Sequence, residues 1–252
     1  MHILVTNDDG VQAPGLLALA QAMRELGRVT IMAPDRNWSA SGHVKTLHRP
    51  LRVRESTLAD GSSALTSDGA PSDCVALAML GVVPDLDMVV SGINPYSNLS
   101  HDVTYSGTVT AAMEAVIHGL PGFAFSLGGC ESPARDFGPA AAVAQKVVRA
   151  ALAHGLPGSL LLNVNVPCLP LEQIKGMRVT RQGQRVYRDI LDRRTDPRGD
   201  PYYWIGGEAP GGVPDEGTDI AAVEDGYVSI TPLKLDLTNT STARELNDWK
   251  WD

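Results

Sequence analysis

No stretch of the 252-residue chain approaches the ~20 consecutive apolar residues of a membrane-spanning helix, so no membrane partner is expected. Cysteine is scarce: Cys74, Cys130 and Cys168 are odd in number and too far apart for a C-x-x-C zinc or redox pair, which reads as a protein of a reducing compartment. Basic runs are absent as well. Twenty-one Lys and Arg against 29 Asp and Glu leave a net charge of −8, which argues against duplex nucleic acid as a partner. The opening MHILVTNDDG carries a short apolar run that ends in acids, unlike a signal or transit peptide, and a cytoplasmic protein is expected. The chain also lacks G-x-x-x-x-G-K-[ST], a G-x-G-x-x-G after a strand and H-E-x-x-H, and Ser126 lacks the glycines of a nucleophile elbow. ATP-loop, dinucleotide and serine-hydrolase readings lose their support with them.

What is present is ordinary globular composition, 43% hydrophobic and 20% charged, arranged in an informative order. Short apolar runs at His2–Thr6, Val29–Ala33, Asp87–Ser91, Gly122–Ser126 and Leu160–Val166 read as strands. Helical periodicity lies between them at Pro14–Leu26, Pro71–Leu80, Thr108–His118 and Pro139–His154. That alternation predicts an α/β fold with a Rossmann-like, mostly parallel sheet and flanking helices. After Pro167 it fails. Residues 184–217, rich in Arg, Asp, Gly, Pro and Tyr, read as a projecting, hairpin-like arm, and Gly226–Thr231 reads as a last strand. One domain is expected, with its core at about 1–183 and 218–235 and a polar tail at about 236–252 that ends in Trp249 and Trp251.

In an open parallel sheet, ligands collect beyond the carboxyl ends of the strands, where helix N-termini present unpaired N–H groups. The first strand ends in Asn7-Asp8-Asp9-Gly10. Two adjacent carboxylates repel unless a cation or a proton separates them, although the same four residues also make a turn. The second strand leads into Ser39-Ala40-Ser41-Gly42-His43, and the third ends in Ser91-Gly92-Ile93-Asn94. These place hydroxyl and amide oxygens, minor ligands of Mg²⁺ or Mn²⁺, at the same edge. A structural donor role for His43 and a turn role for Asn94 are the plainer alternatives. Ser106-Gly107-Thr108 opens the helix with the clearest apolar face, as a phosphate cradle would, or as a simple N-cap. Taken together, two acids, a hydroxyl, an amide and an anion cradle at one edge spell metal-assisted chemistry on a phosphate.

With those residues in view the chain resembles the SurE family of survival-protein nucleotidases. The resemblance is carried by I-L-V-T-N-D-D-G, S-A-S-G-H, S-G-I-N followed by N-L and D-V-x-Y-S-G-T-V, L-N-V-N-V-P and a late T-P-L, in order from Met1 to about Thr238. It implies a metal-dependent phosphomonoesterase acting on nucleoside 5′- or 3′-monophosphates in the cytoplasm. It further implies one Mg²⁺ or Mn²⁺ per subunit, held by Asp8, Asp9, Ser39 and Asn94. Asp8 and Asp9 would be the catalytic acids, and Ser106, Gly107, Thr108 and Asn98 would bind phosphate. One departure stands out: relatives carry a G-x-N-L-G stretch where this chain reads Tyr96-Ser97-Asn98-Leu99-Ser100, so an altered loop path and substrate access are expected. The arm and tail resemble segments exchanged between subunits, and two tryptophans near the chain end predict a homodimer or homotetramer. A rival reading is a non-catalytic phosphoacceptor or nucleotide-binding protein. It is disfavoured because a receiver-type module needs a lone Asp where this chain reads Ser-Gly-Ile-Asn, and because the acid pair is intact.

Overall fold

Five residues, His2–Thr6, form β1, and all five are buried, as a strand covered on both faces requires. The computed structural model describes residues 1–130, 135–208 and 210–251. In it, β1 lies between β2 (Arg28–Pro34) and β5 (Met88–Asn94), parallel to both. β6 (Gly122–Gly128) and β7 (Leu161–Pro167) continue the parallel sheet beyond β5. The first edge is the antiparallel pair β3 (Val53–Thr57) and β4 (Ser63–Ser67), with β4 parallel to β2. The other edge is β13 (Val228–Pro232), antiparallel to β7, with β8 (Met177–Val179) outermost. The nine strands run in the order β3-β4-β2-β1-β5-β6-β7-β13-β8, the mostly parallel α/β sheet that the alternation of apolar runs predicts.

Alternate residues of β1 feed two cores, as a period of two demands. Ile3 and Val5 join the core made with α1 (Pro14–Arg24) and α4 (Gly138–Ala153), through Leu16, Leu19, Ala144 and Val148. Leu4 turns the other way, toward Cys74 and Val75 of α2 (Pro71–Leu77) and Ala111 and Ala115 of α3 (Gly107–Ile117). Strand and helix bounds lie within a few residues of those read from the sequence. β3, β4, β8, α5 (Asp219–Glu224) and α6 (Thr240–Leu246) were not legible, because their segments are short and mostly lack a continuous apolar face. The helix expected over Pro71–Leu80 is α only to Leu77 and then runs as a π-helical turn, Ala78–Val82.

The cysteines depart from expectation. Cys130 and Cys168 form a disulfide with their Cα atoms 5.2 Å apart, and buried Cys74 is the free thiol. The pairing follows from the sheet: Gly128 and Pro167 are register partners in β6 and β7, so the residues just beyond them meet although 38 positions separate them in sequence. Among the described residues, no helix is long and apolar enough to cross a membrane.

The arm is a hairpin of β10 (Asp189–Thr195) and β11 (Pro201–Gly207), rooted on the short antiparallel pair of β9 (Gln184–Val186) and β12 (Gly211–Val213). No residue of β11 or of α6 is buried. Trp249 and Trp251 are 61% and 72% exposed and lie against each other, with ring centroids 5.6 Å apart.

α3 lies so close to β6 that a Cβ on Gly122 would stand 2.1 Å from the Ala112 carbonyl oxygen. Gly122→Ala therefore has to push the helix off the sheet, and overpacking of this kind costs about 1–3 kcal/mol or more. Urea denaturation should show that loss. A midpoint equal to that of the native chain would contradict the close packing of α3.

Candidate active site

The carboxyl ends of β1, β2 and β5 deliver three chain segments to one edge of the sheet. After β1, Asn7 folds the turn onto itself: its Nδ2 donates to the Gly10 carbonyl at 3.0 Å and its Oδ1 accepts from the Gly10 N–H at 3.2 Å. Asp8 then points toward α3, and Asp9 points away from it. The Asp8 carboxylate is 3% exposed and accepts a hydrogen bond from the Thr108 hydroxyl in the first turn of α3. Burial pushes the Asp8 pKa up, while the Thr108 hydroxyl and the main-chain N–H groups of Gly107 and Thr108 favour its charged form. Asp9 is raised to about 7, first by burial and then by the charge of Asp8, with Arg135 opposing.

After β2, the chain turns back over Asp8. The Trp38 N–H donates to the Asp8 carbonyl at 2.7 Å, and the Ser39 N–H donates to Asn37 Oδ1 at 2.7 Å. Ser39 is thereby set at the mouth of a cavity of about 570 Å³, which Asp8 and Asn94 also line. β5 reaches Asn94 through an irregularity after Ser91, where Gly92 has φ +128° and a Cβ would meet the Phe125 carbonyl oxygen at 2.3 Å, so that only glycine fits. Asn94 donates its amide to the Tyr96 carbonyl at 2.6 Å, which leaves Oδ1 as the atom that could accept or ligate.

The phosphate half of the site differs in detail from the sequence reading. Ser106 is the N-cap of α3, its oxygen accepting from the Val109 N–H at 3.2 Å. Its hydroxyl proton remains for a ligand, so cap and cradle are compatible here. Thr108 spends its hydroxyl proton on Asp8 and can offer only its main chain to an anion. Asn98 donates one amide hydrogen to Ser126 Oγ at 2.8 Å and has a second. Gly107 is needed for a reason other than phosphate access alone: a Cβ there would stand 2.7 Å from the Asp8 Cβ. The glycine thus lets Asp8 approach the helix end.

Asp9 does not face the large cavity. It lines a hollow of about 240 Å³ beside it, together with Arg135, Ile93 and Pro95. Asn37 reaches Asp9 Oδ1 at 3.4 Å. Neither Asn37 nor Arg135 was legible as a site residue, since nothing in their local sequence marks them. His43 donates from Nε2 to the Glu114 carboxylate at 2.9 Å and does not line the large cavity.

Oxygen donors of the kind a hard divalent cation takes are present, with Asp8, Ser39 and Asn94 on the large cavity and Asp9 on the hollow beside it, where burial and the charge of Asp8 keep Asp9 protonated to about pH 7. Among the described residues no group of three or more His, Cys, Asp or Glu could hold a metal; the neutral oxygens of Ser39 and Asn94 and solvent could add to a coordination that began at the acid pair.

The family described as Survival protein SurE matches residues 3–189. The chain belongs to the SurE family. A relative from Herpetosiphon aurantiacus named 5′-nucleotidase SurE is 53% identical over 253 residues, covering 100% of this chain and 99% of the relative. One of the same name from Chloroflexus aggregans is 51% identical, with 100% of both covered. The crystal structure of the SurE protein from Aquifex aeolicus superposes with a TM-score of 0.83 at 44% identity, over 98% of this chain and 100% of that one. Within this SurE chain the Tyr96–Ser100 loop is held by its surroundings. Ser100 takes φ +54°, a conformation glycine adopts more easily, and is held there by buried Asp219, which accepts from its N–H at 2.7 Å. Ser97 packs where Gly128 has no side chain, its Cβ 2.8 Å from where one would start.

The raised Asp9 gives a signed pH dependence. Its pKa is about 7 in the folded, metal-free protein against an ordinary value of 3.8, so between these limits the folded state binds more protons than the unfolded one. Stability present below about pH 4 is therefore lost as pH rises to about 7. Thermal melts in chelator should show that decline, and Asp9→Asn should flatten it. An Asp9→Asn protein with the native slope would contradict the assignment.

Proposed function

We propose that this SurE chain is a divalent-metal-dependent phosphomonoesterase that hydrolyses nucleoside 5′- or 3′-monophosphates to nucleoside and phosphate. The observation that carries this reading is the seating of Asp8, Ser39 and Asn94 on one cavity against the N-terminus of α3. It is supported by full-length relatives at about half identity that are named 5′-nucleotidase SurE. Asp8, Asp9, Ser39 and Asn94 would hold one Mg²⁺ or Mn²⁺. Such a cation, when bound, screens the phosphate's charge and offsets that of the two acids.

The chain's own groups do the rest. The N–H groups of Gly107 and Thr108, the Ser106 hydroxyl and the second amide hydrogen of Asn98 hold the phosphate oxygens at a helix N-terminus, where the aligned peptide dipoles favour negative charge. Positioning and electrostatic stabilisation are the main levers in phosphoryl transfer. Water attacks phosphorus as the ester oxygen departs; one aspartate of the Asp8–Asp9 pair would take the proton of that water, and the departing oxygen gains one from solvent. Tyr96 and Tyr105, 66% and 59% exposed at the cavity, flank the path by which a nucleoside enters.

Turnover of a panel of nucleoside monophosphates after chelation, with and without added Mn²⁺, tests the reading. Metal-dependent release of inorganic phosphate is expected. Stoichiometric labelling without turnover would favour the phosphoacceptor instead. Asp8→Asn and Asp9→Asn should each lower kcat by about 10²–10⁴-fold while leaving the fold intact. Near-native turnover of either variant at saturating metal would overturn the site.

We further propose a homodimer or homotetramer built through arm and tail. The exposed Trp249 and Trp251, set against each other and not into their own sheet, support it, as does the unburied β11. Covering each ring contributes about 1.5–3 kcal/mol on the apolar-area scale. Deletion of the residues after Thr238 should weaken the oligomer in light scattering and leave Mn²⁺ affinity unchanged. A full-length protein that is monomeric at micromolar concentration would exclude this assembly.

A further inference from the structure

Glu114 is a buried acid that the catalytic reading does not use. It lies two turns along α3 from the phosphate cradle, is 1% exposed, and meets three side chains that can carry positive charge. Lys45 Nζ is 2.6 Å from one carboxylate oxygen, with His118 Nε2 at 3.2 Å from the same atom, and His43 Nε2 is 2.9 Å from the other. Burial works against the charge of Glu114, but the bonds from His43 and Lys45 prevail and hold its pKa at about 2. His118 belongs to the end of α3 itself, whereas His43 and Lys45 belong to the loop that carries Ser39.

That loop has no helix or strand of its own between Pro34 and Val53, so its path depends on where it is tied. On the near side of Ser39, the Trp38 N–H is bonded to the Asp8 carbonyl. On the far side, Ala40 and Gly42 turn the chain with φ of +57° and +65°. Gly42 is then bonded through its N–H to the Tyr105 carbonyl and through its carbonyl to the Thr110 hydroxyl, at 2.9 and 3.1 Å. The charged tie follows at once, at residues 43 and 45. Val44 and Thr46 are tied in turn to α2, through the Ser72 hydroxyl and the Asp73 carboxylate. Ser39 is thus suspended between Asp8 and α3, and removing the charge of Glu114 releases the charged tie that lies nearest to it on the far side.

We propose that Glu114 is a positioning residue for the metal site, which fixes Ser39 over Asp8 by clamping His43 and Lys45 to the helix whose first turn forms the phosphate cradle. This rests on the reading of Ser39 as a metal ligand. α3 then sets both halves of the site, the cradle at its start and the hydroxyl ligand through Glu114.

The test is a double-mutant cycle in which Mn²⁺ affinity of the full, chelator-stripped chain is measured by calorimetry for the native protein, Ser39→Ala, Glu114→Gln and the pair. Glu114→Gln should weaken Mn²⁺ by about 10-fold, the lower end of what outer-shell partners contribute. It should add nothing to Ser39→Ala, because both remove the same ligand. At saturating Mn²⁺, inhibition by inorganic phosphate should be unchanged, since the first turn of α3 is untouched. Native Mn²⁺ affinity in Glu114→Gln, or losses that multiply in the pair, would show a clamp that serves stability alone and overturn the proposal. Native affinity in Ser39→Ala would instead overturn the ligand assignment, and the proposal with it. Should Glu114→Gln not fold, the combined His43→Gln and Lys45→Met changes release the loop from its exposed side, with the same expected loss, the same non-additivity and the same contradicting outcomes.

Discussion

The site depends on one contact, the Asp8 carboxylate against the first turn of α3. It joins the end of the central strand to the start of a helix 100 residues later, and it is made possible by a glycine at 107 and a hydroxyl at 108. An acid buried to this extent is costly unless hydrogen bonds meet it, and the helix N-terminus meets it with donors and with the positive end of its dipole. The same end is where a phosphate is best received. In the proposed reading, acid and phosphate would compete for one small region of positive potential, and a divalent cation at Asp8 and Asp9 would relieve that competition.

Packing keeps the contact in register. α3 rests on β6 through Gly122 with no room for a methyl group, and Ala111 and Ala115 pack it against the core that Leu4 shares with α2. A helix held this closely cannot slide without opening the core, because interiors are packed to near-crystalline density. The loops answer to it in turn: the segment after β2 is tied to Asp8 on one side and to α3 on the other. The segment after β5 is tied through Ser100 to Asp219 at the base of the arm.

Much of this was legible in the sequence, for identifiable reasons. Strands such as His2–Thr6 and helices such as α1 announce themselves by continuous or periodic apolar residues. A parallel sheet then obliges the residues just past β1, β2 and β5 to converge, which is why Asp8, Ser39 and Asn94 could be named together. The division of labour between Asp8 and Asp9 was not legible, since adjacent residues at a strand end point to opposite sides and sequence does not say which side holds the cavity. Nor was the bond between Cys130 and Cys168, which depends on the pairing of β6 with β7 across a crossover helix, nor the ion-pair cluster of Glu114, two of whose partners, His43 and Lys45, lie 71 and 69 residues away. The glycines missing from the loop at 96–100 were visible as a departure. Their compensation, a left-handed serine held by a buried aspartate and a serine packed on Gly128, is a matter of tertiary contact.

In the proposed site, the first turn of α3 and the end of β1 together receive a divalent cation and a phosphate. The most direct measurement is anomalous diffraction at the manganese edge from crystals equilibrated with Mn²⁺ and inorganic phosphate. The account predicts one manganese peak per subunit within coordination distance of Asp8, Asp9, Ser39 and Asn94, with phosphate between it and the N–H groups of Gly107 and Thr108. A manganese peak elsewhere in the chain, with none beside Asp8, would contradict it.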